Sequence, residues 1–412
     1  MGIIVQKYGG SSVADETAIK RVAERVIKFH DNGYKVVVVV SAQLGITDMF
    51  LEKVFRLSSM PNERDVDMLL SSGEQIASSL LSIAVNEAGR KAVALLGYQC
   101  AIHTDNVYSK ARIKKIDTDK ILQHLDKGEI VIIAGFQGVN DYNEITTFGR
   151  GGSDITAVAI GAALEAEYVE ICKDVDGIFT ADPRVCKDAM LIERVTYDEM
   201  LEMAASGTKA LNSRSVEVGM KHGLKIYVRS SFRSDDKNNL GTVISMEVNT
   251  MEEPVIRAIS HSLKETKVVI TQKNTFPATI TDIFDIVNEL NINIDIISDI
   301  ALNGYTCVAF TMSKDEAYKT DELYLRLKTR LDNCDIQVEK NKCKLSVIGT
   351  GIKSTPGIAS KVMKVLLDNG IDIEMISCSE IKISCIVDER YAEKGVNLLH
   401  DVFIVQKNAL RG

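Results

Sequence analysis

The stretch that decides the fold runs from residue 3 to residue 40: IIVQKYGGSSVADETAIKRVAERVIKFHDNGYKVVVVV. It begins with a short apolar strand, Ile3 to Val5, and ends with Val36 to Val40, which is apolar on both faces. Such a strand is typical of a parallel sheet covered by helices. Between them, a helix from about Asp15 to His30 carries apolar residues at helical spacing, namely Ile19, Val22, Ala23, Val26 and Ile27. This order predicts a strand–helix–strand unit with parallel strands.

The same rhythm continues to about residue 246. We predict further strands at 92–96, 129–135, 167–172 and 225–229, with helices between them. Alternating strands and helices favour an α/β layer structure. We therefore expect residues 1–246 to form one α/β domain, with a mostly parallel sheet sandwiched by helices.

After residue 250 the pattern changes to an internal repeat. Residues 277–299 align with 356–378 at a constant offset of 79, which pairs Pro277 with Pro356, Asn291 with Gly370, Asp295 with Glu374 and Ser298 with Ser377. Each copy reads as strand, helix and strand, followed by a second strand and helix, which is the plan of a small ferredoxin-like βαββαβ domain. We expect two such domains, at 260–339 and 342–412.

Composition places the chain among ordinary globular proteins. Its 412 residues are 45% hydrophobic and 26% charged, and the formal net charge is −8. Because the sequence has no tract rich in lysine and arginine, nucleic acid is not an expected partner. We expect no membrane span, because no apolar run approaches about 18 residues, and the N-terminus suggests a cytoplasmic protein. The eight cysteines have neither disulfide-framework nor zinc-site spacing.

Three glycine-rich turns suggest where the chemistry lies. They are Lys7 to Ser12, Gly135 to Gly138 and Gly149 to Asp154, each between a predicted strand and helix. Such turns expose backbone N–H groups beside a positive helix terminus and can bind anions. The sequence has neither a P-loop nor a GxGxxG dinucleotide turn. Lys7 and Arg150 would add cations to two of the turns, although each taken alone also fits a solvated surface position.

Four ordered motifs make the sequence resemble a known family. KYGGSSV at 7–13, VVSA at 39–42, FGRGGSD at 148–154 and KDVDGIFTADPR at 173–184 are similar to motifs of the aspartokinases, in the amino acid kinase family. The usual family forms are KFGGTSV, a Ser-Ala strand end, FGRGGSDxTA and TDVDGIYTTDPR. The repeat resembles the paired ACT regulatory domains of aspartokinases, so the resemblance covers nearly the whole chain. We expect no similarity to the type of aspartokinase that is fused to a homoserine dehydrogenase.

The resemblance implies a monofunctional kinase that moves the γ-phosphoryl group of ATP to the β-carboxylate of L-aspartate. It assigns catalytic roles to Lys7, Asp154 and Lys209, with the lysines on the phosphates and the carboxylate orienting them. Because the nucleophile is already an anion, the difficulty is charge rather than proton removal. Mg²⁺ is expected to arrive with ATP and to be held mainly by phosphate oxygens and water, without a protein metal site.

The resemblance also implies two sets of binding residues. Within the aspartate set, Arg150 would clamp a carboxylate and Glu74 would hold the ammonium group. The aspartate set is Ser41, Thr47, Glu74, Phe136, Arg150, Ser153 and Asp154. The ATP set is Lys7, Gly9, Gly10, Ser11, Lys173, Asp174, Phe179, Asp182, Arg184 and Lys209. Without the resemblance, Glu74 would be read as a solvated helix residue and Phe136 as core.

The sequence departs from the family pattern at three places. Tyr8 replaces the usual Phe, and Lys173 replaces the usual Thr, which adds a cation near the nucleotide. After Lys209, the common Leu-His-Pro-Arg reads Leu211-Asn212-Ser213-Arg214 here. This change leaves the local helix geometry open, but it keeps Lys209.

The ACT resemblance implies feedback inhibition by lysine, threonine or both, at the first step of lysine, threonine and methionine biosynthesis. It also implies a homodimer, or a dimer of dimers, formed through the ACT domains. The effector candidates are Asp295, Ser298, Glu374, Ser379 and Glu380. For Asp295 and Glu374, a solvated strand-end acid is an equal interpretation. Two rival functions stay open: a kinase for another acidic amino acid, and a catalytically inactive amino-acid sensor.

Overall fold

The structure is a computed structural model that describes residues 2–208, 210–233, 241–246, 255–273, 278–302, 305–331 and 334–406. The chain divides into two compact units. The first comprises Met1–Ile178, Leu191–Ala204 and Lys209–Thr250, and the second comprises Phe179–Met190, Ala205–Thr208 and Met251–Gly412. The second unit thus includes a short segment, Phe179–Met190, from the middle of the first unit's sequence.

The first unit alternates strands and helices. Its described strands are β1 (Ile3–Tyr8), β2 (Lys35–Val40), β3 (Ala92–Leu95), β4 (Ile102–Thr104), β5 (Ile113–Ile116), β6 (Ile130–Ala134), β7 (Gln137–Val139), β8 (Ile145–Thr147), β9 (Tyr168–Lys173), β10 (Arg194–Thr196), β11 (Ile226–Ser230) and β12 (Thr242–Ser245). Its described helices are α1 (Glu16–Asp31), α2 (Ile46–Leu57), α3 (Glu63–Glu87), α4 (Asp119–Asp126), α5 (Gly152–Ala163), α6 (Tyr197–Ala205) and α7 (Ser213–Lys221). The predicted strands at 92–96, 129–135, 167–172 and 225–229 match β3, β6, β9 and β11 to within one residue at each end.

The larger sheet of this unit has eight strands in the order β10-β12-β11-β9-β1-β2-β6-β3. All neighbours are parallel except β11 and β12, which are antiparallel. A smaller sheet has the order β5-β4-β7-β8. The predicted mostly parallel sheet is therefore confirmed.

Helices cover both faces of the larger sheet. On one face, α1 and α3 pack through Val22, Val26, Ala77 and Leu81 against β1, β2 and β6. On the other face lies α5, which is almost entirely buried. A Cβ atom added to Gly161 of α5 would lie 2.4 Å from Val169 Cγ2. The missing side chain therefore lets this helix approach the sheet closely.

One helix bears on the expectation that the chain does not span a membrane. By length and composition alone, α3 is long and apolar enough to do so. However, half of its most apolar window is buried inside the unit. Its Asp67 and Glu74 side chains are also buried. Because a helix that is apolar on most sides also serves as the core of a globular domain, the packing explains this composition.

The second unit forms one six-stranded sheet in the order β14-β15-β13-β16-β18-β17. Its described strands are β13 (Val255–Lys273), β14 (Ile294–Leu302), β15 (Tyr305–Met312), β16 (Cys334–Thr350), β17 (Met375–Cys378) and β18 (Lys382–Asp388). Its described helices are α8 (Ala278–Glu289), α9 (Thr320–Arg330), α10 (Ile358–Asp368) and α11 (Ala392–His400). Each repeat thus supplies two of these helices.

Two long strands, β13 and β16, run through both repeats. Beyond residue 266, β13 pairs with β15 and with the first half of β16. Residues 255–262 pair instead with the second half of β16, and register shifts around Glu265 separate the two halves. The second repeat therefore takes a strand from ahead of the first repeat, which the simple βαββαβ succession did not predict. The domain limits 1–246, 260–339 and 342–412 stay predictions.

The matched positions of the repeat have the same backbone role. Asn291 and Gly370 lie just beyond α8 and α10, with φ of 48° and 71°. In each copy the following residue, Ile292 or Ile371, donates its N–H to a carbonyl in the last helical turn at 3.0 Å. Left-handed residues that end a helix in this way are usually glycine and sometimes asparagine. Pro277 lies outside the described residues.

We predict that Gly161→Ala lowers the free energy of unfolding by about 1–3 kcal/mol, because its methyl group would overpack α5 against β9. This loss would exceed the gain from the higher helix propensity of alanine. Chemical denaturation measures the difference. Ala163→Ser, on the exposed side of the same helix, is the control and should change stability by less than about 0.5 kcal/mol. An equal or higher stability of Gly161→Ala would contradict the close packing.

Candidate active site

Four neighbouring parallel strands end at the same edge of the larger sheet. They are β1, β2, β6 and β9. Their carboxyl ends gather Lys7, Ser41, Phe136 and Lys173 at this edge, where open α/β sheets bind ligands. The helix α5 starts here too, with Asp154 in its first turn. The fold thus brings together residues that lie far apart in the sequence.

Asp154 joins two lysines from different strands. Lys7 Nζ lies 2.6 Å from Asp154 Oδ1, and Lys173 Nζ lies 3.1 Å from Oδ2. Lys7 and Asp154 are buried, and the Lys173 side chain is 18% exposed. Burial alone would raise the pKa of Asp154, but the charges of Lys173 and Lys7 outweigh it and hold this pKa at about 2. With both lysines protonated, the group carries one net positive charge.

The first glycine-rich turn packs tightly against the end of β2. Residues 10–13 form a short 3₁₀ helix, and Ser12 N–H donates to the Gly9 carbonyl at 2.9 Å. A Cβ atom at Gly10 would lie 2.7 Å from the carbonyl oxygen of Ala42. Only glycine therefore fits at this point of the turn. Ser11 is half-buried beside it.

Glu74 is a buried carboxylate with an unused oxygen. It is 4% exposed, and its Oε2 has no hydrogen-bond partner among the described residues. Burial raises the pKa of Glu74 to about 7, although a backbone hydrogen bond from Ala42 and the charge of Lys7 oppose this shift. A buried carboxylate needs a cation or further donors to be stable in its ionised form. The site is thus ready for a cationic group, and the solvated reading of Glu74 is wrong.

Phe136 has a strained backbone at the end of β6. Its φ is 70°, a value that a bulky residue rarely adopts. The Phe136 N–H donates to Thr156 Oγ1 at 2.9 Å, and that hydroxyl donates to the carbonyl of Gly152 at 2.9 Å. The start of α5 therefore holds this strain. Strained residues held in this way cluster at functional sites.

The motif around Arg150 is a turn between two left-handed glycines. Gly149 and Gly151 have φ of 77° and 70°, a conformation that favours glycine. Arg150 lies exposed between them, and Ser153 is buried in the first turn of α5. A Cβ atom at Gly135 would lie 2.8 Å from Ser153 Cβ. Thr47, another predicted substrate residue, is half-buried in the first turn of α2.

The sequence analysis missed Asp67, which supports this turn. The fully buried Asp67 carboxylate accepts the N–H of Ser109 at 2.9 Å, and the N–H and hydroxyl of Thr147 at 2.8 and 2.7 Å. Thr147 comes two residues before Gly149, so Asp67 anchors the strand that leads into the turn. Its spacing from Glu74 could have indicated its position, because residues seven apart lie on the same face of a helix.

The predicted ATP residues fall in both units. Six members belong to the first unit, namely Lys7, Gly9, Gly10, Ser11, Lys173 and Asp174, and Asp174 is exposed just after β9. The other three described members, Phe179, Asp182 and Arg184, belong to the second unit. Arg184 pairs with Asp182 at 2.7 Å, and this hydrogen-bonded contact lowers the pKa of Asp182. Lys209 lies outside the described residues.

The effector candidates lie in the second unit, and both matched acids are already paired. Asp295 in β14 forms an ion pair with Lys344. Glu374, just before β17, binds Lys267 and Lys342 at 2.6 Å each. These lysines come from β13 and β16, which the sequence analysis did not connect with the acids. Glu374, whose side chain is 22% exposed, is therefore not a solvated acid, whereas Asp295 is paired and 38% exposed at the same time.

The other three effector candidates differ from one another. Ser298 is half-buried in β14, and Glu380 makes an exposed ion pair with Lys353 at 3.4 Å. Ser379 Oγ is buried and has no hydrogen-bond partner among the residues that the structure describes. Ser379 is therefore the candidate whose polar atom most needs a ligand.

Comparisons with known proteins identify the family. The model of the amino acid kinase family matches residues 2–230, and an ACT domain model matches residues 345–403. The chain is 42% identical over 410 residues to an aspartokinase of Geobacillus stearothermophilus, and 40% identical over 408 residues to aspartokinase 2 of Bacillus subtilis. Each match covers 99% of both chains.

Solved structures with a similar fold are also aspartokinases. The chain is similar to E. coli aspartokinase III in complex with aspartate and ADP, with a TM-score of 0.82 and 26% identity over 97% of this chain and 99% of that one. It is also similar to the complex of that protein with lysine and aspartate, with a TM-score of 0.73 and 25% identity over 98% and 99% of the two chains.

The resemblance to the aspartokinases is therefore confirmed, together with the α/β kinase fold and a C-terminal ACT domain. The family model spans more than half of the chain, and relatives about 40% identical to it match almost its full length. By sequence and by fold, the chain belongs to the amino acid kinase family.

Proposed function

We propose that this protein is an aspartate kinase that converts ATP and L-aspartate into ADP and 4-phospho-L-aspartate. The observation that carries the proposal is the Lys7–Asp154–Lys173 group. Beside it, the Glu74 Oε2 atom has no hydrogen-bond partner among the described residues and is affected by the charge of Lys7. The relatives named aspartokinase and the E. coli structure with aspartate and ADP support it.

In this reaction the protein has to bring two anions together. An oxygen of the aspartate β-carboxylate attacks the γ-phosphorus, and the bond from that phosphorus to the β–γ bridging oxygen breaks. Negative charge spreads over the transferring group in the transition state. Lys7 and Lys173 would stabilise this charge, with Asp154 holding both in place and the N–H groups of the Gly9 turn adding donors. No residue has to remove a proton, and Mg²⁺ would enter as part of the Mg·ATP substrate.

Aspartate would be recognised by charge at both ends. Glu74 Oε2 would bind the ammonium group, and the Arg150 guanidinium would clamp a carboxylate. Ser41, Thr47, Phe136 and Ser153 would complete the aspartate site. The role of Lys209 as a second phosphate lysine rests on the family pattern.

We propose that the ACT repeats make the kinase sensitive to lysine, threonine or both. The E. coli structure that contains lysine supports an amino-acid effector. An effector ammonium group could reach Asp295 or Glu374 only by breaking an ion pair, which makes Ser379 the better starting point. The family pattern supports a cytoplasmic homodimer or dimer of dimers, acting at the first step of lysine, threonine and methionine biosynthesis.

The proposal predicts a coloured hydroxamate when the protein is incubated with Mg·ATP, L-aspartate and hydroxylamine, which traps the acyl phosphate. Lys7→Met should lower the rate at least about 10³-fold, because it removes a preorganised cation. Lys35→Met is the matched control and should keep the rate, since Lys35 is an exposed lysine at the opposite end of β2. Lysine and threonine, added singly and together, identify the effector by the loss of colour.

Other outcomes of this assay would support the rival functions. Colour with glutamate or N-acetylglutamate, but not with aspartate, would support a kinase for another acidic amino acid. No colour with any substrate, together with retained lysine or threonine binding, would support an inactive sensor. Thermal denaturation of Lys7→Met checks that the variant folds.

The raised pKa of Glu74 predicts a pH dependence. Below pH 7 Glu74 becomes protonated and loses its attraction for the substrate ammonium, so kcat/KM for aspartate should fall about tenfold per pH unit well below this pKa. Glu74→Gln should raise the aspartate KM about 100-fold, and its kcat/KM for aspartate should no longer fall with decreasing pH below pH 7. Rates are measured at saturating Mg·ATP, with Glu87→Gln at the exposed end of α3 as the control. An unchanged profile in Glu74→Gln would refute the ammonium role.

The second cation predicts a separate effect. Lys173→Met should lower kcat about 10- to 100-fold, because one of the two charges that Asp154 holds is lost. Lys173→Arg should keep most of the rate. Single-turnover phosphoryl transfer from bound ATP measures the chemical step directly. A rate of Lys173→Met equal to that of the Lys35→Met control would show that Lys173 only balances the charge of Asp154.

A further inference from the structure

We propose that Asn212 positions Arg150 by joining the start of α7 to the FGRGGSD turn, an inference that rests on the proposed function. Asn212 stands where the family pattern has histidine, and it is followed by Ser213 rather than proline. Sequence patterns alone do not explain this departure. The contacts of Asn212 supply one, because its side chain uses both ends of its amide group.

The acceptor end of the Asn212 side chain caps α7. The helix begins at Ser213, and Asn212 has an extended backbone with φ of −76° and ψ of 135°. Its Oδ1 accepts the N–H of Arg214 at 2.9 Å. Asparagine is among the best residues at this position because its oxygen satisfies an N–H that has no partner within the helix.

The donor end of the same side chain reaches the substrate turn. Asn212 Nδ2 donates to the carbonyl oxygen of Arg150 at 2.7 Å. The two segments are also in close contact, since a Cβ atom on Gly151 would lie 2.7 Å from Asn212 Cβ. Aspartate, serine or threonine could cap the helix but has no amide donor for the second bond.

Arg214 adds a second link from the same helix. Its guanidinium donates to the carbonyl of Phe148 at 2.8 Å and to the carbonyl of Ala111 at 2.7 Å. The start of α7 therefore holds the backbone carbonyls on both sides of Gly149. The helix and the turn belong to the same compact unit.

The turn needs an external support because two glycines flank Arg150. Glycine leaves the backbone free to adopt several conformations, so a turn with Gly149 and Gly151 would not by itself fix the direction of the arginine side chain. A clamp that is ordered before binding loses less entropy when the substrate arrives. The Asn212 bond supplies this order at the Arg150 peptide itself. Asn212 is therefore a positioning residue for the aspartate clamp.

Two substitutions of Asn212 distinguish the role of its Nδ2 donor from the role of its capping oxygen. Asn212→Asp keeps the capping oxygen and loses the Nδ2 donor, so we expect the aspartate KM to rise about tenfold. The ATP KM should stay within twofold of that of the unmodified protein. The melting temperature should change by less than about 2 °C, which corresponds to a stability change of roughly a few tenths of a kcal/mol. Asn212→Ala loses both roles and should also lower the melting temperature. Ser213→Ala, the next residue, is the control and should leave both KM values unchanged.

A double-mutant cycle with Arg150→Ala tests the pathway of the effect. If Asn212 acts through Arg150, Asn212→Asp should add nothing to the aspartate KM of Arg150→Ala. Full additivity of the two changes, or an equal rise of the ATP and aspartate KM values, would overturn the proposal.

A measurement that does not need activity keeps this inference separate from the proposed function. In hydrogen exchange followed by mass spectrometry, the peptide that covers 146–154 should exchange at least about tenfold faster in Asn212→Asp than in the unmodified protein. Unchanged exchange would refute the positioning role whatever the kinetics. Faster exchange in a protein that makes no aspartyl hydroxamate would keep the structural link and reject the proposed function.

Discussion

The burial of Asp154 between Lys7 and Lys173 is the interaction on which the site depends. Removing three charged groups from water is costly, and it is tolerated only when the groups pair closely. The pairing requires the end of β1, the end of β9 and the first turn of α5 to meet at one point. That requirement explains why a parallel sheet with adjacent β1 and β9 carries the site, and why α5 must pack so closely that Gly161 faces Val169 without a side chain. When both lysines are protonated, the net positive charge of the group favours binding of an anion.

The fold was predictable because its signals are local. Strands apolar on both faces, such as Val36 to Val40, can only be buried in a sheet covered by helices, and the repeat is visible as a constant offset. The site was predictable only where a motif carried it, as for Lys7 and Asp154. The burial of Glu74, the strain at Phe136 and the anchoring role of Asp67 come from contacts between distant segments, which one sequence does not display.

The repeat illustrates the same limit. The offset of 79 identified Asp295 and Glu374 as equivalent acids, but their partners lie on β13 and β16, the strands that both repeats share. Each acid follows the first helix of its own repeat, and the lysines reach it from the long strands. Because breaking such a pair would leave a largely buried lysine without its partner, we expect these pairs to help fix how the two repeats join. A free amino acid would have to displace these lysines before its ammonium group could bind Asp295 or Glu374, and displacing them would disturb the junction of the repeats.

The segment Phe179–Met190 shows why catalysis and regulation are difficult to separate in this chain. It carries Asp182-Pro183-Arg184, which the family resemblance predicts to bind the nucleotide, and it belongs to the second unit. There the Thr180 carbonyl accepts the N–H of Ile259 at 2.7 Å, and the Thr180 hydroxyl bonds His400 Nε2 at 2.8 Å. If this segment binds ATP as predicted, a ligand that shifts these contacts would change the affinity for ATP, and linkage requires that ATP changes the affinity for the ligand to the same degree. Removing the repeat would leave this segment without its partners, so a truncated kinase domain would lose more than its regulation.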